Sequence, residues 1–377
     1  MRSKAFLGVL ATVLLANNLI AAGQAKAEEI TVVSVHSQTG PVAFLGVGAA
    51  NGVKIAVEQL NAAKFLGNDT LKLLVFDDAT TTSQTQVMIN RAALQEKALI
   101  VFGPSDSVRS AAVGPLVNEL KIPTVTTGFT EVPLANGPWM FKITTNSAGQ
   151  VMPLAEYTAE KIKPKRFAAV YLRDNEAQIS PMRMITDYLA GKGTEIVARE
   201  GIAVTDNDFA AIATKIAGMK PDAVYLGTNA EQAANIVIQL KQAGVDKNIP
   251  ILGLGGFGPD YIRAGGAAID NSYAVADFNP ENGRKDTNDF VELYQKRFGL
   301  IPDNWAAVGH ASMVVAAHAI RNAGPNPTRD RVREELMKLK DVPVVIGGGK
   351  WTETPSRVPN YGMQIVQIMG GKVSPAP

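Results

Sequence analysis

The sequence predicts an α/β chain made of two doubly wound lobes. Three observations predict it. Short β-rich runs alternate with helical stretches of 10–15 residues, the spacing of βαβ units around a parallel sheet. The alternation fills one block and restarts at Phe167. And 377 residues less an N-terminal 27 leaves 350, above the roughly 250–300 at which a single core stops growing.

The elements follow in order. Ile30–His36 (ITVVSVH) is a continuous run rich in β-branched residues, as a buried strand requires. Residues 46–63 carry Val53, Ile55, Ala56, Val57 and Leu60 at helical spacing. A strand is expected at 71–76, a helix at 83–97, a strand at 99–102, a helix at 108–120 and a short strand at 124–126. In the second block, strands at 167–172, 196–200, 223–226 and 250–252 alternate with helices at 181–190, 209–217 and 230–243. Three more helices are expected at 287–298, 304–322 and 328–339. There is no repeat, low-complexity tract or long linker, so short crossovers should couple the lobes closely.

The N-terminus carries an export signal. Arg2 and Lys4 precede a 12-residue apolar run, Ala5 to Ala16, and Ala25-Lys26-Ala27 offers a cleavage site before Glu28. The run is too short to span a bilayer, which takes about 20 apolar residues. Cleavage removes Arg2, Lys4 and Lys26 and no acid. The 37 basic and 35 acidic residues become 34 and 35, a net charge of −1. Such a chain has no electrostatic case for nucleic acid or an anionic membrane. It has no cysteine, which excludes disulfides, thiolate metal sites, cysteine nucleophiles and a lipid-modified N-terminal cysteine. With no later apolar stretch of membrane-spanning length, the expectation is a soluble, periplasmic, non-lipoprotein chain.

Enzyme chemistry finds little material. His36, His310 and His318 are the histidines. The last two lie eight apart, not at the i, i+4 spacing of a zinc helix. Neither a GxSxG elbow nor a Walker A sequence occurs. Asp77-Asp78 ends a strand, where loop-stabilising hydrogen bonds are the plainer reading than Mg²⁺ or ribose binding. Gly253 to Gly258 fits GxGxxG, but it lies deep in the chain with no acidic strand end about 20 residues on. No cofactor, no metal and no catalytic residue is therefore expected. The informative features are Gly103 to Ser107 and Thr126 to Thr130, each following a strand, where open α/β sheets bind ligands. Both supply hydroxyls and free N–H groups, suited to a carboxylate.

The chain resembles the leucine/isoleucine/valine type of periplasmic binding proteins, the receptors of ABC importers. The resemblance rests on TGPVAFLGVGAANGVKIAVEQLN (39–61), FDDATTTSQTQ (76–86), FGPSDSVRSAAVGPLVNELKIPTVTTGFT (102–130), FKITT (141–145), IVIQLKQAGVDKNIPILG (236–253) and AAVGHASMVVAAHAI (306–320). It implies the type I fold: two lobes joined by three crossovers, closing on a ligand in the cleft between them. Lobe 1 would be 28–147 with 278–358, and lobe 2 would be 148–277 with 359–377. The family's carboxylate site falls on Ser107, Gly128 and Thr130, and its ligand-packing aromatic on Trp305. Leu45 stands where an aromatic is frequent.

The second-lobe half departs from the pattern. One tyrosine position falls in the 173–177 loop (RDNEA), another holds Asn229, and the glutamate that neutralises the ligand ammonium aligns with Gly255. Either Glu176, whose loop is expected to reach the cleft, supplies the missing charge, or the ligand has no amino group. Trp305, Phe129 and Phe257 could then line an apolar pocket for an aromatic or aliphatic carboxylate. The reading is a receptor that passes an amino acid or related small carboxylate to a membrane permease. Its rivals are a ligand-sensing adaptor for a membrane signalling protein and, with least support, a secreted hydrolase.

Overall fold

The computed structural model describes residues 27–254 and 257–377. The expected export signal, residues 1–27, lies almost wholly outside them. The first block runs β1 (Glu29–His36), α1 (Ala43–Ala62), β2 (Thr70–Asp77), α2 (Thr82–Asn90), β3 (Ile100–Phe102), α3 (Ser107–Glu119), β4 (Thr124–Thr126) and β5 (Met140–Lys142). The second runs α4 (Ser147–Tyr157), β6 (Arg166–Leu172), α5 (Glu176–Gly191), β7 (Glu195–Ile202), α6 (Ala210–Gly218), β8 (Ala223–Gly227), α7 (Ala230–Gln242), β9 (Ile251–Gly253), α8 (Pro259–Gly265) and β10 (Ser272–Ala276). Then come α9 (Lys285–Phe298), α10 (Asn304–Asn322), α11 (Arg329–Leu336) and the short pair β11 (Val342–Pro343) and β12 (Lys350–Trp351). β13 (Gln364–Met369) and β14 (Lys372–Pro375) end the chain.

These elements build two main sheets. The first has the order β2-β1-β3-β4-β5 and is parallel throughout. The second has the order β14-β13-β10-β9-β8-β6-β7. Its five parallel strands repeat the order of the first, and β13 and β14 add an antiparallel edge. Each sheet therefore has a switch point where the winding reverses, β1/β3 in one and β6/β8 in the other. Ligands bind outside the strand C-termini at such points.

The strand sequences follow from burial on both faces. In β1, Val32 faces the helices α1 and α10 while Val33 and Val35 face the α2/α3 side, and all are fully buried. In β6, Ala168, Val170 and Leu172 face one core and Phe167 and Ala169 the other. Two helices meet backbone to backbone on lobe 1. A Cβ on Gly52 would lie 1.9 Å from the Ala306 carbonyl oxygen, and one on Gly309 would lie 2.0 Å from that of Ala49. Only glycine allows this approach. It fixes the start of α10 beside the middle of α1.

The chain passes between the sheets three times, and one residue of each passage joins a buried knot. The Tyr361 hydroxyl donates to Asp277 Oδ1 and accepts the Thr145 N–H at 3.1 Å. Asn304 Nδ2 donates to Asp277 Oδ2 at 3.1 Å. Burial raises the Asp277 carboxyl above the usual range while these donors oppose the rise.

Several elements differ from expectation. β5, β11, β12, β13, β14, α4 and α8 have no counterpart among the expected elements; β5 has only three residues. α5 begins at Glu176, not Pro181. Proline there reads as a helix start, but Asn175 caps the helix five residues earlier by accepting the Ala177 N–H at 3.0 Å.

Candidate functional site

The lobe 1 half of the site is built on the N-terminus of α3. Asp106 caps that helix, accepting the Val108 and Arg109 N–H groups at 2.9 and 3.1 Å. Its carboxylate also pairs with the Arg109 guanidinium, which donates to the Thr80 carbonyl at 2.9 Å. Ser107 is the first helical residue. Its Oγ accepts the Phe129 N–H at 3.1 Å and the Thr130 N–H at 3.2 Å. The turn after β4 is thereby tied to α3. Thr130 Oγ1 accepts the Val132 N–H at 3.3 Å.

Gly128 sits inside this turn. Its N–H donates to Thr126 Oγ1 at 2.9 Å, and its carbonyl accepts from Thr144 Oγ1 at 3.2 Å. A Cβ there would lie 2.8 Å from Ser110 Oγ and 3.0 Å from the Asp106 carbonyl. Its N–H is already committed, so what Gly128 offers is space for the turn to close on α3. Under the turn lies Lys142, the last residue of β5, donating to the carbonyls of Phe129 and of Thr130, the latter at 3.3 Å. Burial pushes its ammonium down to about 8, while Glu131 nearby favours the charge.

A cavity of about 650 Å³ opens between the lobes, within the roughly 300–1,000 Å³ usual for small-molecule sites. Lobe 1 contributes Phe44 from α1 and Asp303, Asn304 and Trp305 from the start of α10. Lobe 2 contributes Gln178 from α5, Thr228 to Glu231 at the start of α7, and Leu226, Leu254 and Phe257. No lysine or arginine is among the described residues of its wall, whereas Glu231, Asp260 and Asp303 are. The Trp305 ring lies 5.9 Å from that of Phe129. This contact links the cavity to the Ser107–Thr130 turn, whose two hydroxyls are not themselves in the wall.

The expected site residues distribute as follows. Trp305 and Asn229 line the cavity. Asn229 also caps α7, accepting the Gln232 N–H at 2.9 Å and donating to Gln232 Oε1 at 2.8 Å. Leu45 is half-buried outside the wall, and Phe44 beside it is 65% exposed and in the wall. Glu176 is not in this wall. It is exposed on the first turn of α5, and Gln178 takes that place in the wall. Gly255 lies outside the described residues.

The remaining candidates have partners. Asp77 accepts from the N–H groups of Gln38 and Ala79, and Asp78 from the hydroxyls of Ser37 and Thr85. His36 Nδ1 meets Ser34 Oγ at 2.7 Å and His310 Nε2 meets Gln59 Oε1 at 2.7 Å. Asp303 and Asn304 were missed, although a cap was to be expected just before α10. Phe44 gave no signal beyond its apolar neighbours.

The geometry so far is a two-lobed α/β clamp with a cavity walled from both sides. The periplasmic binding protein family model matches residues 29–372. The chain belongs to this family. The chain is 25% identical over 324 residues to an amino acid binding protein from Pseudomonas aeruginosa, covering 83% of each chain. It is also similar in structure to a branched-chain amino acid transporter substrate binding protein from Streptococcus pneumoniae in complex with isoleucine. That match has 22% identity and a TM-score of 0.78 over 92% of this chain and 98% of the other. A solute binding protein of an ABC transporter from Rhodopseudomonas palustris, in complex with 3,4-dihydroxybenzoic acid, matches at 20% identity and a TM-score of 0.76, covering 92% and 95%. These likenesses carry the type I periplasmic binding protein fold. No helix among the described residues is long and apolar enough to cross a membrane.

Proposed function

We propose that this protein is the extracytoplasmic receptor of an ABC importer and that it captures an amino acid or related small carboxylate by closing its lobes. The carrying observation is the cavity walled by both lobes, with the Ser107–Thr130 turn joined to it through Phe129 and Trp305. A ligand shifts a hinged protein towards closure only if it gains contacts in the closed state. Walls on both sides supply them. Ser107 and Thr130 would donate hydroxyl protons to the carboxylate, and Trp305 would pack on the ligand body.

The acidic wall favours a ligand bearing an ammonium. Glu231, Asp260 and Asp303 are exposed in the wall; Asp260 pairs with Arg263 at 2.9 Å, which leaves Glu231 and Asp303 to meet a cationic group as the lobes close. Asp303 or its neighbours, in place of Glu176, would pair with that ammonium. The second reading, an aromatic carboxylate without an amino group, is supported by Phe44, Phe257 and Trp305 in the same wall.

The remaining parts of the proposal are export by the N-terminal signal to the periplasm and delivery to a membrane permease. The lobe limits 28–147 with 278–358 and 148–277 with 359–377 are supported by the change of sheet between β5 and β6 and between β12 and β13. Catalysis has no part in it. A thermal-shift screen of amino acids and aryl and alkyl carboxylates tests the reading. A ligand at 100 times its dissociation constant should stabilise the fold by about 2.7 kcal/mol. No shift with any of them would count against the carboxylate receptor.

A further inference from the structure

We propose that Lys142 is a positioning residue that turns the Ser107 hydroxyl into a one-way donor for the ligand. The inference rests on the reading of Ser107 as a carboxylate-binding group and adds how that group is set. Lys142 is wholly shielded from solvent, and its ammonium donates to the Phe129 carbonyl. That carbonyl belongs to the same peptide group as the Thr130 N–H, which donates to Ser107 Oγ at 3.2 Å. The Phe129 N–H reaches the same oxygen at 3.1 Å.

A serine hydroxyl has two lone pairs and one proton. Here both lone pairs are taken, so the proton is what Ser107 has left to give. It can meet a carboxylate oxygen and cannot accept from a ligand N–H or O–H. The ammonium at the far end of the peptide strengthens this bias. Charge on one side of a hydrogen-bonded chain polarises the next bond, more so at low dielectric. Lys142 thus acts on the ligand through one peptide group and one hydroxyl, without touching it.

The charge is held against its own desolvation, since burial pushes Lys142 down to about 8. An apolar side chain of similar length would avoid that cost, and a merely structural β5 terminus does not require the ammonium. The neighbouring Glu131 helps to keep it.

The test compares Lys142→Met, Lys142→Gln, Ser107→Ala and the Lys142→Met/Ser107→Ala pair. In ligand-free protein, amide NMR should show the Thr130 proton moving upfield and exchanging faster in Lys142→Met. Lys142→Gln, which can still donate to the carbonyl, should fall between and serves if Lys142→Met does not fold. With L-leucine and 3,4-dihydroxybenzoate as probes, Lys142→Met should weaken binding by up to about fivefold, the share of a charged hydrogen bond that polarisation supplies. In the Ser107→Ala background it should change binding less than about twofold. An unmoved Thr130 amide, or losses from Lys142 and Ser107 that simply multiply, would overturn the proposal. Normal binding by Ser107→Ala would instead remove the carboxylate reading. The Thr130 amide then decides the relay alone, as it does if neither probe binds.

Discussion

Ser107 Oγ accepts the Thr130 N–H at 3.2 Å, so the two residues expected to hold a carboxylate are bonded to each other before any ligand arrives. The proposed carboxylate site would thus be preorganised on lobe 1. Removing the hydroxyl has two consequences. Ser107→Ala should weaken ligand binding by about 1.5–3 kcal/mol, the range for a hydrogen bond to a charged group. It should also lower ligand-free stability by about 1 kcal/mol, because two N–H groups lose their acceptor. Calorimetry and urea unfolding measure the two effects separately.

Trp305→Ala removes the largest side chain in the cavity wall and the partner of the Phe129 ring. The aromatic pair alone is worth about 0.5–1.5 kcal/mol. Affinity should fall by tenfold or more, on the order expected for a lost aromatic wall and pair. Leu45→Ala, outside the wall, should change affinity little. Equal effects from the two variants would place the ligand elsewhere.

Asp303→Asn keeps an acceptor for the Ala306 N–H, now at 2.8 Å, and removes a charge from the cavity wall. If the ligand is an amino acid, this variant should bind it more weakly, whereas Glu176→Gln should bind it as wild type does. Binding of 3,4-dihydroxybenzoate should be unharmed by either. Loss of amino acid binding in Glu176→Gln alone would show that α5 moves its first turn into the cleft on closure.

Glu353 is 5% exposed, and burial pushes its carboxyl from 4.5 up to about 7. The folded state therefore holds this proton more tightly than the unfolded chain. The stabilisation is fully present below pH 4.5 and is lost as pH rises through 7. Glu353→Gln has no proton to lose. Relative to wild type it should gain up to about 3 kcal/mol between pH 5 and 8. Urea unfolding of both proteins across that window gives the difference, and parallel curves would show that Glu353 is ionised throughout.

Much of the fold was legible because burial on both sheet faces writes long apolar strands. Ile30–His36 and Phe167–Leu172 are such runs, and the helices between them have clear spacing. β5 was not legible, since three residues carry no period, and β13 and β14 form an edge with mixed character. In the site, the segments 103–107 and 126–130 stood out because hydroxyls at strand ends suit a carboxylate, and Ser107 and Thr130 within them were reached through the family pattern. Trp305 was reached through the family pattern, and Asn229 through its departure from it. Phe44 and Gln178 were hidden because a helix turn decides which of several neighbouring side chains faces the cleft. The same turn decides where Glu176 lies. The helix begins at that residue, and its first turn directs it to solvent.

The most direct test of the account is a calorimetric titration of wild type and of the Ser107→Ala/Thr130→Ala pair, using whichever carboxylate stabilises the wild-type fold most. Two lost hydrogen bonds to a carboxylate are worth about 3–6 kcal/mol, a weakening of more than about a hundredfold. Saturable one-to-one binding to wild type and a loss of that size in the double variant are expected. Binding of equal strength by the two proteins would contradict it.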